Sequence, residues 1–282
     1  MIFLHSLQDF LHYDFLLYAI LGTLFLSITC GLISPLLIAR KNAFMGSAIS
    51  HSTLLGLAIA LSLFGAESSL SIFVTTLGIT ILCTLFLAFS TYRQKLPSDS
   101  LIGIFYTATM ALGIIIHSMF AKNKTDLLSF LFGNILLLTK EDLILSVILL
   151  AVTLPLIVLF FKKWMFLTYD EEGAITSGIN AKFFHYLFFI LLALLIVTSI
   201  KLAGTILIET LLLVPGFFAL KFSKNVKQAF IVSVIFSTVF ALLGIVIANS
   251  YGLPSGATLA VVLFLALVLS LFVKKLYTWI RK

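Results

Sequence analysis

Long apolar runs follow one another along this chain with only short polar breaks between them, and each is close to the length that crosses a bilayer. A hydrocarbon core about 30 Å thick needs about 20 apolar helical residues. Backbone amides find no water there, so such runs form helices and not open strands. The pattern predicts an all-α polytopic membrane protein with about nine spans, near 14–39, 43–64, 68–91, 100–120, 142–161, 183–200, 202–220, 228–248 and 256–274. Only Lys201 parts the sixth run from the seventh, so one of the two is expected to be short, broken or re-entrant. The residues are 61% hydrophobic and 10% charged. Soluble domains carry about 25% charged residues, so a soluble globular fold is excluded.

The net charge is +7, and the position of the positive charges says more than their sum. Lysine and arginine sit between the apolar runs and form no continuous basic face, which excludes nucleic acid as a partner. With nine spans, one side of the membrane receives Arg40, Lys41, Arg93, Lys95, Lys162, Lys163, Lys182, Lys221, Lys224, Lys227, Lys274, Lys275, Arg281 and Lys282. The other receives only Lys122, Lys124, Lys140 and Lys201. Positive loops stay inside, so the C-terminus is expected in the cytoplasm. The first residues lack lysine and arginine and carry Asp9 and Asp14, unlike the basic start of a cleaved signal peptide, and the first span is expected to stay. Cys30 and Cys83 each lie within an apolar run without a metal-binding or disulfide spacing, and read as inert buried thiols.

Two pieces are apolar or patterned but do not span. Segment 126–134 (DLLSFLFGN) is too short to cross and is expected on or dipping into the outer face. The longest inner loop, 162–182, contains DEEGAITSG at 170–178. Acidic residues suit a helix start, and Gly178 followed by Asn180 suits its stop. A short amphipathic helix on the cytoplasmic face is expected, either as a docking surface or as a solvated connector.

Ionisable groups at membrane depth are costly and point to function. His51 lies near the middle of the second span, with Ser47 four residues before it on the same helix face. Its imidazole is a candidate ligand for a divalent transition metal, or else a buried neutral group bonded to a neighbouring hydroxyl. Glu209 lies near the middle of the seventh span, either facing a cation path or protonated in one interhelical bond. His117 and His185 fall at span ends and read as interfacial. Gly46, Ser47, Ala48, Ser50, Gly56 and Ala58 give the second span a small-residue character that lets helices approach. There is no phosphate loop of the GxxxxGK[ST] type and no recognisable hydrolytic set, so the chain carries no engine of its own.

Several stretches, taken in order, resemble the membrane permease subunits of bacterial ABC importers for zinc, manganese and iron, the ABC-3 family. They are 40–56 (RKNAFMGSAISHSTLLG), 101–105 (LIGIF) with 111–113 (ALG), 129–136 (SFLFGNIL), 201–208 (KLAGTILI) running to 213–219 (LVPGFFA), and 252–256 (GLPSG). The first is similar to the family's basic turn followed by Gly-Asp-x-x-x-His-x-x-x-x-Gly. The resemblance implies a single transmembrane permease domain over 1–282 in a bacterial inner (cytoplasmic) membrane. It implies a second permease copy, identical or different, around a central path. It also implies a separate cytoplasmic ATP-binding subunit that uses the ATP, and an extracytoplasmic metal-binding protein. No cofactor is expected in this chain. The family places its ATPase-coupling element at about 163–182, here Asp170, Glu171, Glu172, Ala174 and Gly178.

One departure matters. Where the family has Asp four residues before the histidine, this chain has Ser47, a poor ligand for a divalent ion. The expected metal-handling residues are therefore His51, the altered Ser47, and Glu209, read as restoring the lost carboxylate from another helix. The alternative is a stand-alone secondary transporter, proton-coupled through Glu209. Paired broken helices in an internal repeat would favour it, and no convincing repeat is seen.

Overall fold

The computed structural model describes residues 14–65, 69–92, 98–120, 133 and 135–280. Arg93, Lys95, Lys122, Lys124, Arg281, Lys282 and, apart from Gly133, the expected outer-face segment 126–134 lie outside the described residues.

Nine helices among the described residues are long and apolar enough to span. They are α1 (Asp14–Ala39), α2 (Ala43–Phe64), α3 (Ser69–Thr91), α4 (Ser98–Phe120), α5 (Lys140–Tyr169), α7 (Ala181–Ala203), α8 (Thr205–Phe222), α9 (Val226–Tyr251) and α10 (Ser255–Ile280). A six-residue helix, α6 (Glu171–Thr176), follows α5, and a 3-10 turn (Ile135–Leu137) precedes it. Many side-chain hydroxyls within the spans bond back to a carbonyl of their own helix. Thr23 donates to Ala19 O at 2.7 Å, Ser62 to Ala58 O at 2.7 Å and Thr84 to Thr80 O at 2.7 Å.

The chain divides into two compact units. Unit one holds α1, the 3-10 turn, α5 through Val158, and α8 to α10. Here α1 packs on α8 and α9, and α10 packs on α8 and α9. The α1–α8 contact is built around Ser34. Its hydroxyl donates to Leu212 O at 2.6 Å and accepts from Gly216 N–H at 2.7 Å. Pro215, inside α8, lacks an N–H, and the serine ties down the backbone beside it. A Cβ on Gly216 would lie 2.5 Å from the Ser34 backbone, so glycine is what allows this approach.

Unit two holds α2, α3, α4, the end of α5 from Leu159, α6, and α7 through Ile200. Helix α2 packs against both α3 and α4. Gly56 meets the Thr76 backbone, where a Cβ would stand 2.9 Å from its carbonyl oxygen, and a Cβ on Gly113 of α4 would stand 3.1 Å from Leu55 N. The small residues of the second span thus serve close packing.

Three boundaries differ from the sequence reading. Helix α5 runs on to Tyr169, so the expected loop from Lys162 shrinks to a few residues around α6. The cause is Trp164, fully buried, whose indole N–H donates to Phe184 O at 3.1 Å, together with buried Leu167. Asn180 does not end α6 but opens α7, its side chain accepting from Phe183 N–H at 3.0 Å. The break after the sixth span falls at Gly204, not Lys201. Its φ of 82° and ψ of 165° belong to a region open in practice only to glycine. Gly133 lies against the Ala203–Gly204 peptide with no room for a Cβ. Cys83 is half-buried, in contrast to fully buried Cys30; both are free thiols.

Replacing Ser34 with Ala strands the Leu212 carbonyl and the Gly216 amide, at a cost of about 1–3 kcal/mol. Gly216→Ala forces α1 and α8 apart, at about 1–3 kcal/mol. Both should lower the thermal midpoint of the purified protein in detergent.

Candidate functional site

His51 is residue-central in α2, half-buried, and Ser47 lies one turn before it, also half-buried. Both belong to unit two. The imidazole meets the ring of Tyr106 on α4 edge-to-face, with centroids 4.4 Å apart and planes at 82°. Such a ring pair is worth about 0.5–1.5 kcal/mol, a bias toward this orientation of the imidazole. Tyr106 is a neighbour of the candidate histidine that the sequence reading missed. The available signal was a tyrosine in an otherwise apolar stretch, but only packing of α4 on α2 shows which side chain it faces.

Glu209 belongs to unit one. Because the preceding break lies at Gly204, α8 begins at Thr205, and Glu209 stands just past its first turn instead of at mid-span. The amino end of a helix favours an anionic side chain, though the effect fades within about a turn. Glu209 lines a groove of about 480 Å³ between α8 and α10, whose walls include Ile206, Leu213, Ala257, Ala260 and Phe264. Asp142 and Lys201 form an ion pair at 3.3 Å toward the amino end of α8. At its carboxyl end Lys274 donates to Lys221 O at 2.7 Å. Basic and acidic groups thus collect at the two ends of α8, and Glu209 is the carboxylate between them. Among the described residues no three His, Cys, Asp or Glu side chains gather into a metal cluster.

The coupling candidates sort by what they touch. Asp170 caps α6, its side chain accepting from Gly173 N–H at 2.8 Å. Ala174 is fully buried and anchors the short helix. Gly178, at φ 83°, lets the chain turn back, and Ile179 N–H closes onto Ala174 O at 3.0 Å. Glu171, Glu172 and Ile175 point outward, giving an acidic surface with one exposed apolar side chain.

Arg40, just before α2, is packed into the same unit. Its guanidinium lies 5.0 Å from the centroid of the Phe188 ring. Burial lowers its pKa to about 10, and Glu171 pulls in the opposite direction. It therefore remains a cation at neutral pH. His185, expected at the interface, is drawn into unit two. Its Nε2 lies 3.2 Å from Ala88 O, and its ring lies against Tyr92 and Phe189. His117 is half-buried near the end of α4.

Removing the cap by Asp170→Ala should cost about 0.5–2 kcal/mol of local stability. Hydrogen exchange at residues 171–177 should then speed up while α5 and α7 keep their protection, and Asp170→Asn should restore most of it.

Comparison with known proteins bears on this arrangement as a whole. The family model described as the ABC 3 transport family matches residues 12–274. The chain is 31% identical over 256 residues to the manganese transport system membrane protein MntC of Listeria monocytogenes, covering 91% of this chain and 89% of that protein. It is 30% identical over 280 residues to the manganese import system permease protein ScaB of Streptococcus gordonii, covering 99% and 98%. Among solved structures, PsaBC from Streptococcus pneumoniae in complex with Fab aligns with a TM-score of 0.84 at 29% identity over 99% of both chains. With nine helices among the described residues long and apolar enough to span, and a family match over residues 12–274, this chain is a multi-pass membrane protein of the ABC 3 transport family.

Proposed function

We propose that this chain is the permease subunit of an ATP-driven importer for a divalent transition metal, with manganese as the cargo. The observation that carries this is the end-to-end likeness to permeases named for manganese, in a chain whose sequence has no nucleotide-binding loop. The whole chain acts as one permease domain in the inner membrane with its C-terminus in the cytoplasm, in keeping with the charge asymmetry of its loops. Energy enters through a separate ATP-binding subunit docked on Glu171, Glu172 and Ile175 of α6. An extracytoplasmic binding protein delivers the ion, and a second permease copy completes the path.

His51 is the ligand on α2. Its imidazole serves several divalent transition metals, iron and zinc among them. Ser47, one turn away, contributes a neutral hydroxyl where an acidic ligand would bind more tightly. Tyr106 orients the imidazole, and Arg40 and Phe188 hold the base of α2 within the unit that also carries α6. Motion of α6 driven by the ATPase is then converted into alternating access.

The test is elemental analysis of cells lacking the gene and complemented with variants at equal expression. Manganese should fall in the deletion strain under metal limitation and return with wild type. His51→Ala should lower uptake by roughly tenfold or more, the scale of losing a metal ligand or its support. Tyr106→Phe should keep uptake and Tyr106→Ala should reduce it. Unchanged manganese in the deletion strain, with wild type expressed or not, would overturn the assignment.

A further inference from the structure

We propose that the end of α8, the start of α9 and the end of α10, on the side read as cytoplasmic, form a binding site for the headgroup of an anionic phospholipid, with Lys221, Lys224 and Lys274 as its cations. This goes beyond the importer reading, and its failure would leave that reading standing.

After Glu209 the sequence has no aspartate or glutamate, yet it carries Lys221, Lys224, Lys227, Lys274, Lys275, Arg281 and Lys282. Positive loops on the inner side are ordinary in a membrane protein. Cations with no acid in their stretch of chain are not the rule in this one. In unit two Arg40, Lys162, Lys163 and Lys182 share their side with Asp170, Glu171 and Glu172. In the rest of unit one Lys201 pairs with Asp142 at 3.3 Å. Like charges brought together without a carboxylate repel, and an anion from outside the chain removes the repulsion.

The fold draws the lysine of α10 onto the connector between α8 and α9. Lys274 donates to Lys221 O at 2.7 Å, and its ammonium lies 4.6 Å from the centroid of the Phe222 ring. That ring opens a stack that runs through Phe218 of α8 to Phe236 of α9, with successive centroids 4.6 and 4.2 Å apart. The ammonium is thus held in place, with N–H groups to spare for an anion. The Lys224 N–H donates to Gln228 Oε1 at 3.0 Å, and Asn225 caps α9 by accepting from Gln228 N–H at 2.8 Å. A helix start favours an anion, yet Lys224 and Lys227 stand at this one, so the helix and its lysines call for the same partner. Phe272, Val273 and Leu276, beside Lys274 in the chain, are exposed. They give acyl chains an apolar wall next to the cations, which a free phosphate would not use. Lysines gathered at the cytoplasmic end of a spanning helix attract anionic headgroups, and a phospholipid matches both the charge and the apolar wall.

The experiment places the full chain, purified with the subunits that accompany it, in nanodiscs of phosphatidylcholine with an equal part of phosphatidylglycerol. Retained lipids are counted by native mass spectrometry. Wild type should retain phosphatidylglycerol over phosphatidylcholine. Lys221→Gln with Lys224→Gln and Lys274→Gln should lower that preference roughly tenfold or more. The same loss of charge in unit two, Lys162→Gln with Lys163→Gln and Lys182→Gln, should leave it close to wild type. Arginine at positions 221, 224 and 274 should keep it, since guanidinium also binds phosphate. Should the glutamine triple at these positions not purify, Lys274→Gln alone is read the same way. No preference in wild type, equal loss in the two glutamine triples, or loss with arginine overturns the site. Inorganic phosphate that raises the thermal midpoint in detergent as far as phosphatidylglycerol does overturns the lipid as its source. Unchanged lipid preference, with an accompanying subunit lost from the glutamine triple, assigns these lysines to a protein contact and overturns the site. Manganese content of the deletion strain, which tests the importer reading, is measured separately from every one of these outcomes.

Discussion

The structure depends first on the absence of water in the hydrocarbon core. Every backbone amide in a span must bond within its helix, and every hydroxyl must find an acceptor nearby. Many serines and threonines of this chain meet that demand by bonding back to the carbonyl three or four residues before them, and Ser34 meets it across to α8. Because lipid is as apolar as leucine, burying apolar side chains does little to bring helices together. Close contact and interhelical hydrogen bonds do it instead. That is why the packing of both units turns on glycine and serine: Ser34 with Gly216 in one, Gly56 and Gly113 in the other.

The same constraint organises the candidate sites. Where nearly every exposed group is apolar, a polar side chain inside a span stands out against its surroundings, and its neighbours explain its retention. His51 keeps an aromatic edge against it on the helix that α2 packs upon. Glu209 stands beside the start of a helix and opens into a groove with a small-residue floor. Among the described residues, neither belongs to a cluster of three or more His, Cys, Asp or Glu side chains. Away from the spans, α6 has a different design: a cap, a buried alanine and a left-handed glycine hold a six-residue helix in shape with Glu171 and Glu172 exposed.

Much of this was legible in the amino-acid order. Apolar runs of span length dictated the number of helices, since no other structure satisfies a backbone in lipid, and their starts and ends agree with the described helices to within a few residues for most spans. His51 and Glu209 were visible because an ionisable residue in such a run is rare. The acidic opening of α6 and its glycine stop were visible because capping chemistry is local. Tertiary structure alone decided the rest. Hydropathy had α5 ending near its paired lysines; burial of Trp164 against α7 carried the helix on to Tyr169. Hydropathy saw the charge of Lys201 as the break between two spans; the close approach of Gly133 and the backbone angles of Gly204 placed it three residues later, which moved Glu209 toward the helix start. Tyr106 could be joined to His51 only through the packing of α4 on α2. The physical reason is range: lipid exclusion and capping act within a segment and can be read along it, whereas contact between helices depends on which surfaces are small enough to meet.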